Sequence, residues 1–235
     1  MEHQIVGYQS WRHLTFIHWR LPAETLQPLL PDGLTIETFD DSAWLGLVPF
    51  SMERVRPWWS PPVPGISWFL ETNVRTYVRH QNGQTGVWFF SLDANHRLAV
   101  SVARRFWHLN YVHARLQLSR DDQTWHYSGQ RPATPEDAYQ ITACPEKPEQ
   151  LQTAAEGSLD HFLLERYHLF AQRPDGRFYC GQVHHDPYTW CGVLLPSLSQ
   201  SLTAAAGCPI PDDHAPDHVA WSPGVDVRVS PLWLL

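Results

Sequence analysis

The octet Glu71-Thr72-Asn73-Val74-Arg75-Thr76-Tyr77-Val78 constrains the fold of this chain more than any other stretch. Side chains alternate faces along a strand, so Glu71, Asn73, Arg75 and Tyr77 share one face and Thr72, Val74, Thr76 and Val78 share the other. If the second face packs on the body of the protein, the polar row must look into solvent or line a cavity. The cavity is the favoured reading. Beyond the octet, Asn82-Gly83 tolerates the positive φ angles of a tight hairpin, with a return strand from Gly86 to Leu92.

The remaining patterns are also mostly those of strands. Leu14 to Arg20, Leu34 to Phe39 and Ala43 to Arg56 read as strands, the last two joined by a turn at Asp40-Asp41. Pro22 opens a short helix over residues 22–30, where Leu26, Leu29 and Leu30 have helical spacing. The prolines between Trp58-Trp59 and Gly65 cannot donate to a ladder, so this stretch is expected to be a loop with rim aromatics. Leu98, Val102, Phe106 and Leu109 recur at helical spacing after Asp93 or Asn95 as a cap. Tyr111 to Leu118 and Thr124 to Gln130 predict a second hairpin around Asp121-Asp122. Residues 131–157, rich in proline and without a firm period, read as a surface excursion with one short strand near 139–144. Ser158 caps a helix running to Tyr167, and Arg177 to His185 and Val225 to Val229 are strands. This order predicts one α+β domain, mainly antiparallel β, over residues 1–235, rather than alternating βαβ units. A sheet closed into a barrel would give the polar row a lumen to face.

Composition narrows the function. A net charge of −7 without a basic run removes the footprint of a nucleic-acid binder, so no nucleic acid is expected as partner. The twelve tryptophans supply material for a sizeable core. No charged-then-apolar leader and no apolar run near twenty residues are visible. The expectation is therefore a cytoplasmic protein without membrane association, with Cys144, Cys180, Cys191 and Cys208 as thiols. Cys180-x3-His184-His185-x5-Cys191 holds metal-capable side chains, but its spacing departs from zinc patterns and the two histidines would point to opposite faces of a strand. No metal is expected there. Without a Gly-rich phosphate loop, HExxH or GxSxG, no cofactor is expected either.

Several segments carry a family resemblance. They are Phe16-Ile-His-Trp-Arg-Leu-Pro-Ala-Glu-Thr-Leu26 with Leu29-Leu-Pro-Asp-Gly-Leu34, Gly46-Leu-Val-Pro-Phe50, the octet, Phe90-Ser-Leu-Asp-Ala94 and Phe162-Leu-Leu-Glu-Arg-Tyr167. Together they resemble the YqjF-like family of uncharacterised bacterial proteins, to about residue 186, and that family is similar to the acetoacetate decarboxylase superfamily. The resemblance implies a cone-shaped antiparallel β-barrel with a few inserted helices around an interior cavity. The decarboxylase forms a Schiff base through one of two adjacent lysines. Here Trp107 and His108 stand where that pair is expected. Of seventeen Lys and Arg residues only Lys147, flanked by Pro145 and Pro148, is a lysine. Arginine cannot form the imine, so the resemblance in fold does not extend to Schiff-base chemistry. Arg20 and Glu71 match a decarboxylase arginine and glutamate.

The expected ligand-binding set is Arg20, Glu71, Asn73, Arg75, Tyr77, Trp107 and Tyr111, with Glu71 and His108 as candidate catalytic groups. Arginine offers a fork for a carboxylate, asparagine bonds both ways and glutamate accepts or abstracts a proton. Histidine titrates near neutral pH. His18 and Tyr167 are further candidates for the lumen. The purely structural alternative is an internal Glu–Arg pair stitching the barrel. The preferred reading is a small organic ligand, acidic or carbonyl-bearing, bound in the barrel without Schiff-base chemistry. Its rivals are a lysine-independent enzyme moving protons on a carbonyl compound through Glu71 or His108, and a non-catalytic structural or homo-oligomerisation module.

Overall fold

A computed structural model describes residues 4–211 and 213–235. In chain order the strands and helices are β1 (Gly7–Leu21), α1 (Ala23–Leu26), β2 (Leu34–Ile36), β3 (Ala43–Pro57), β4 (Phe69–His80), β5 (Thr85–Ala94), α2 (Arg97–Phe106), β6 (Tyr111–His113), β7 (Arg115–Asp121), β8 (Thr124–Arg131) and β9 (Thr134–Pro145). There follow β10 (Gln152–Thr153), α3 (Leu159–Leu164), β11 (His168–Gln172), β12 (Phe178–His184), β13 (Thr189–Trp190), β14 (Val193–Gln200), α4 (Leu202–Ala205), β15 (His218–Val229) and β16 (Trp233–Leu234).

The main sheet closes on itself. Strands β4, β3, β1, β15, β12, β11 and β5 pair in that order, and β5 pairs back onto β4. Closure removes the open edges that an isolated sheet would expose. All these pairings are antiparallel except β11 with β5. A second, antiparallel sheet of order β14-β9-β8-β7 covers part of the ring's outside. The two are tied by polar contacts, the hydroxyls of Thr72 and Tyr139 lying 2.5 Å apart and Tyr127 Oη donating to His13 O at 2.7 Å.

This arrangement gives β4 two buried faces. Val74 and Val78 pack with Ile17, Leu47, Tyr139 and Ile141 between ring and second sheet, whereas Tyr77 packs inside with Phe16, Val48, Phe50, Leu163 and Val227. The polar row of the octet therefore looks into the ring. One irregularity matters for β1. His13 has φ 56°, Gly224, paired with the preceding Arg12, has φ 123°, and the β1–β3 register shifts between Arg12 and Ile17. A bulge of this kind changes strand parity. Trp11 and Leu14, three residues apart, thus both join the inner cluster.

Several expectations need correction. The stretch 131–157 contains the twelve-residue strand β9. Pro135 is accommodated because the β8–β9 register shifts at Gln130/Arg131, where no ladder bond is needed. Helix α2 is capped by His96, whose Nδ1 accepts from the Ala99 amide at 3.2 Å, rather than by Asp93 or Asn95. Its stripe of Leu98, Val102 and Phe106 is largely exposed, and Val100 is the buried residue. Tyr111 begins β6, which pairs with β5, so the second hairpin starts only at Arg115. Ser158 does cap α3, accepting from the His161 amide. The four cysteines are free, and among the described residues no helix is long and apolar enough to cross a membrane.

Candidate ligand-binding site

A cavity of about 220 Å³ lies within the ring. Its wall is mostly apolar, with Trp11, Phe50, Phe69, Phe89 and Leu164 among the contributors, and the polar side chains Glu71, Arg75, Tyr111 and Arg166 enter it. Glu71 and Arg75 come from the inner face of β4. Tyr111 is delivered by β6, held in register by the Leu92–Tyr111 pairing, and Trp107 is the C-cap of α2, its amide donating to Ala103 O.

Glu71 is buried and accepts a 2.7 Å hydrogen bond from Tyr111 Oη on Oε2. Burial raises its pKa, the Tyr111 bond lowers it and the nearby Asp93 charge raises it, leaving the carboxyl at about 7. Glu71 is thus close to half protonated at neutral pH. Burial and the adjoining carboxylate hold the Tyr111 phenol well above its ordinary value.

Arg75 has only neutral partners. Its Nη2 donates to Leu163 O at 3.0 Å and Tyr77 Oη at 3.3 Å, and its guanidinium lies 5.6 Å from the centres of the Phe16 and Tyr77 rings. Leu163 stands one residue from the end of α3, where no further turn claims its carbonyl. Nε of Arg75 is buried without a partner, and among the described residues no carboxylate forms an ion pair with this guanidinium. Between Glu71 and Arg75, Asn73 is also buried, with Oδ1 unpartnered. The internal Glu–Arg pair weighed from the sequence is therefore not formed.

Other expected site residues lie elsewhere. Tyr77 stands behind the wall, its hydroxyl 2.8 Å from both His18 Nε2 and Leu163 O. His18 is fully buried there, 3.0 Å from His218 through the two Nδ1 atoms, and His218 Nε2 lies 3.0 Å from Asp160 Oδ1. Arg20 is exposed and braces the Asp40 turn through Ser42 Oγ and Asp40 O. His108 follows α2 at φ 52°, which turns the chain outward. Its Nε2 accepts from Arg173 Nε at 2.8 Å in an outer cleft with Phe106, Tyr179 and Leu232, and Trp107 separates that cleft from the cavity by lining both. The structure does not bring His108 or Arg20 to Glu71. Tyr167 donates to Glu165 and faces a neighbouring cleft. Lys147, the single lysine, is exposed between β9 and β10.

Two cavity residues escaped sequence reasoning. Tyr188 lines the cavity, and its amide donates to Glu165 Oε1 at 2.8 Å. It follows Pro187 in a segment without periodicity, so nothing local marks it. The helix expected to run to Tyr167 ends at Leu164, and Arg166, two residues past that end, reaches the cavity wall with Nη1 donating to Glu37 Oε2 at 2.7 Å.

Residues 8–226 match the DUF2071 family, described as an uncharacterised conserved protein. The uncharacterised protein YqjF of Bacillus subtilis (strain 168) is 33% identical over 212 residues, covering 90% of this chain and 86% of that one. Among solved structures, acetoacetate decarboxylase from Legionella pneumophila is similar with a TM-score of 0.63 at 12% identity, covering 100% of this chain and 89% of that one. An acetoacetate decarboxylase-like enzyme from Sphingomonas wittichii RW1 gives 0.66 at 12% identity, covering 99% and 93%. The enduracididine biosynthesis enzyme MppR gives 0.63 at 10% identity, covering 98% and 90%. At such identities the likeness is one of fold.

Proposed function

The chain belongs to the DUF2071 family, and we propose that its ring cavity binds a small organic acid, the carboxylate on Arg75 and the apolar body against the aromatic wall. The observation that carries this reading is the state of Arg75, a cation at a mostly apolar cavity with a buried, unpartnered Nε and no carboxylate counter-ion among the described residues. Buried charges are ordinarily paired. A ligand carboxylate would supply the pair, and Tyr188 lines the same cavity. The presence of the cavity weighs against an inert, filled barrel.

Calorimetric titration with benzoate and with 4-methyl-2-oxopentanoate tests the proposal. Arg75→Met is expected to weaken binding roughly 10- to 100-fold, the worth of about 1.5–3 kcal/mol for a hydrogen bond to a charged group. Equal affinity of wild type and Arg75→Met, or equal affinity for benzoate and benzamide, would remove the assignment.

A second reading rests on Glu71. A carboxyl that titrates at about 7 is suited to general acid–base work at neutral pH. Proton exchange α to the carbonyl of a bound keto acid fits that group, and no lysine is available at the wall for an imine. MppR, of the same fold, has been obtained in complex with pyruvate, a ligand of this class. Deuterium wash-in at the α-carbon, followed by proton NMR, should be lost in Glu71→Gln; exchange unaffected by that change excludes the role.

A further inference from the structure

Behind the cavity wall, four side chains from four elements form an unbroken hydrogen-bonded row: Tyr77 on β4, His18 on β1, His218 on β15 and Asp160 at the start of α3. We propose, resting on the ligand reading above, that His18, His218 and Asp160 are positioning residues for Arg75, forming a chain whose protonation sets how firmly Arg75 is held and how strongly the cavity takes an anion.

The argument is one of donor and acceptor counting. Asp160 accepts, so His218 must donate to it through Nε2. With His218 neutral, its Nδ1 carries a lone pair, and His18 must donate through Nδ1. His18 Nε2 is then an acceptor and takes the Tyr77 proton. Leu163 O is left to Arg75 alone, and the Tyr77 oxygen keeps its lone pairs toward Arg75. Three protons serve the row.

One more proton on His218 reverses every upstream bond. Two N–H groups cannot face each other across 3.0 Å, so His18 must give up Nδ1–H and carry its proton on Nε2. That N–H points at the Tyr77 oxygen, which turns its own proton onto Leu163 O at 2.8 Å. Leu163 O then serves two donors, and one Tyr77 lone pair is taken by His18. Arg75 loses part of both its neutral acceptors, and an imidazolium now lies behind it. Both changes strengthen the attraction for a carboxylate in the cavity.

The surroundings favour this order of events. His18 is held well below the ordinary histidine value by burial, by His218 and by the Arg75 charge, so it exchanges tautomers rather than becoming a cation. His218 is pulled down by burial and back up by Asp160, with a net lowering that places the change on the acid side. The other charged groups nearby are Asp217, which accepts from the Arg20 amide, and His214, 3.6 Å from Asp217. On the β3 side, Gly46 stands opposite His18.

Histidine-selective nitrogen NMR between pH 8 and 5, without ligand, reads the row directly. His18 is expected to stay neutral while its proton moves from Nδ1 to Nε2 with the midpoint of His218 protonation; a His18 tautomer that is constant through that titration overturns the proposal. Asp160→Asn, at the partly exposed end, should lower the midpoint, and an unmoved midpoint counts against the row. Coupling to Arg75 is read from benzoate affinity in a Glu71→Gln background, which removes the titration of Glu71 itself. Affinity should rise roughly fivefold or more as pH falls through the midpoint, and His218→Gln should abolish the rise. A rise that survives His218→Gln overturns the coupling. Failure of every form to bind benzoate would overturn the ligand reading on which the coupling rests, whereas the tautomer result stands or falls on its own.

Discussion

The hydroxyl of Tyr111 donates to Oε2 of Glu71 across 2.7 Å and 40 residues of chain. The bond joins β6 to the inner face of β4 and satisfies one oxygen of a carboxyl that burial disfavours in its charged form. It stabilises the ionised state only in part, and the residual imbalance has measurable consequences.

Glu71 titrates at about 7 in the fold against a reference of 4.5. Between those values the native state retains a proton that the unfolded chain has released. The contribution of this group to stability is thus fully present below about pH 4.5, falls as pH rises to about 7 and is level beyond. At roughly 1.36 kcal/mol per unit the loss is about 3 kcal/mol. Glu71→Gln should remove this slope, so the stability difference between variant and wild type shifts by up to about 3 kcal/mol in favour of the variant from pH 4.5 to 8. Urea unfolding followed by tryptophan fluorescence provides the comparison; a difference independent of pH would contradict the assignment.

His108 stands in the outer cleft, so His108→Ala should leave benzoate affinity within about twofold of wild type, whereas Trp107→Ala, which opens the cavity wall, should weaken it roughly tenfold, about 1.4 kcal/mol. Calorimetry on both variants separates these neighbours. A large loss in His108→Ala alone would place the ligand in the other cleft.

At Gly224, φ is 123° and a Cβ would lie 1.9 Å from the Trp11 carbonyl oxygen. Gly83 also has a positive φ, 90°, but a Cβ there meets nothing within 4 Å. Gly83→Ala should therefore cost only about 1 kcal/mol of local strain, and Gly224→Ala more than about 3 kcal/mol, because the β1 backbone at Trp11 must move away. Urea midpoints that fall equally for the two variants would mean that the β1–β15 backbone yields freely at Gly224.

Much of the ring was legible because strand alternation and Asn-Gly turn chemistry are local. The octet, the hairpin after it and the Ser158 cap stand where these rules put them. Strand β9 was hidden because prolines were read as breaking a strand, whereas here Pro135 sits at a register shift. The stripe of α2 is exposed in spite of its helical spacing, because spacing reports periodicity without reporting which side has a partner.

The sequence by itself determined that β4 would present a row containing Glu71, Asn73 and Arg75, and that the only lysine would be Lys147, because alternation and composition are properties of the covalent chain. Tertiary structure decided what that row became. The β1–β3 register shift around His13 set which β1 side chains face inward, a positive φ carried His108 outward, and Tyr188 arrived from a segment without a pattern. The titration of Glu71 and the unpaired state of Arg75 follow from burial summed over distant neighbours, and desolvation exists only once the ring has closed.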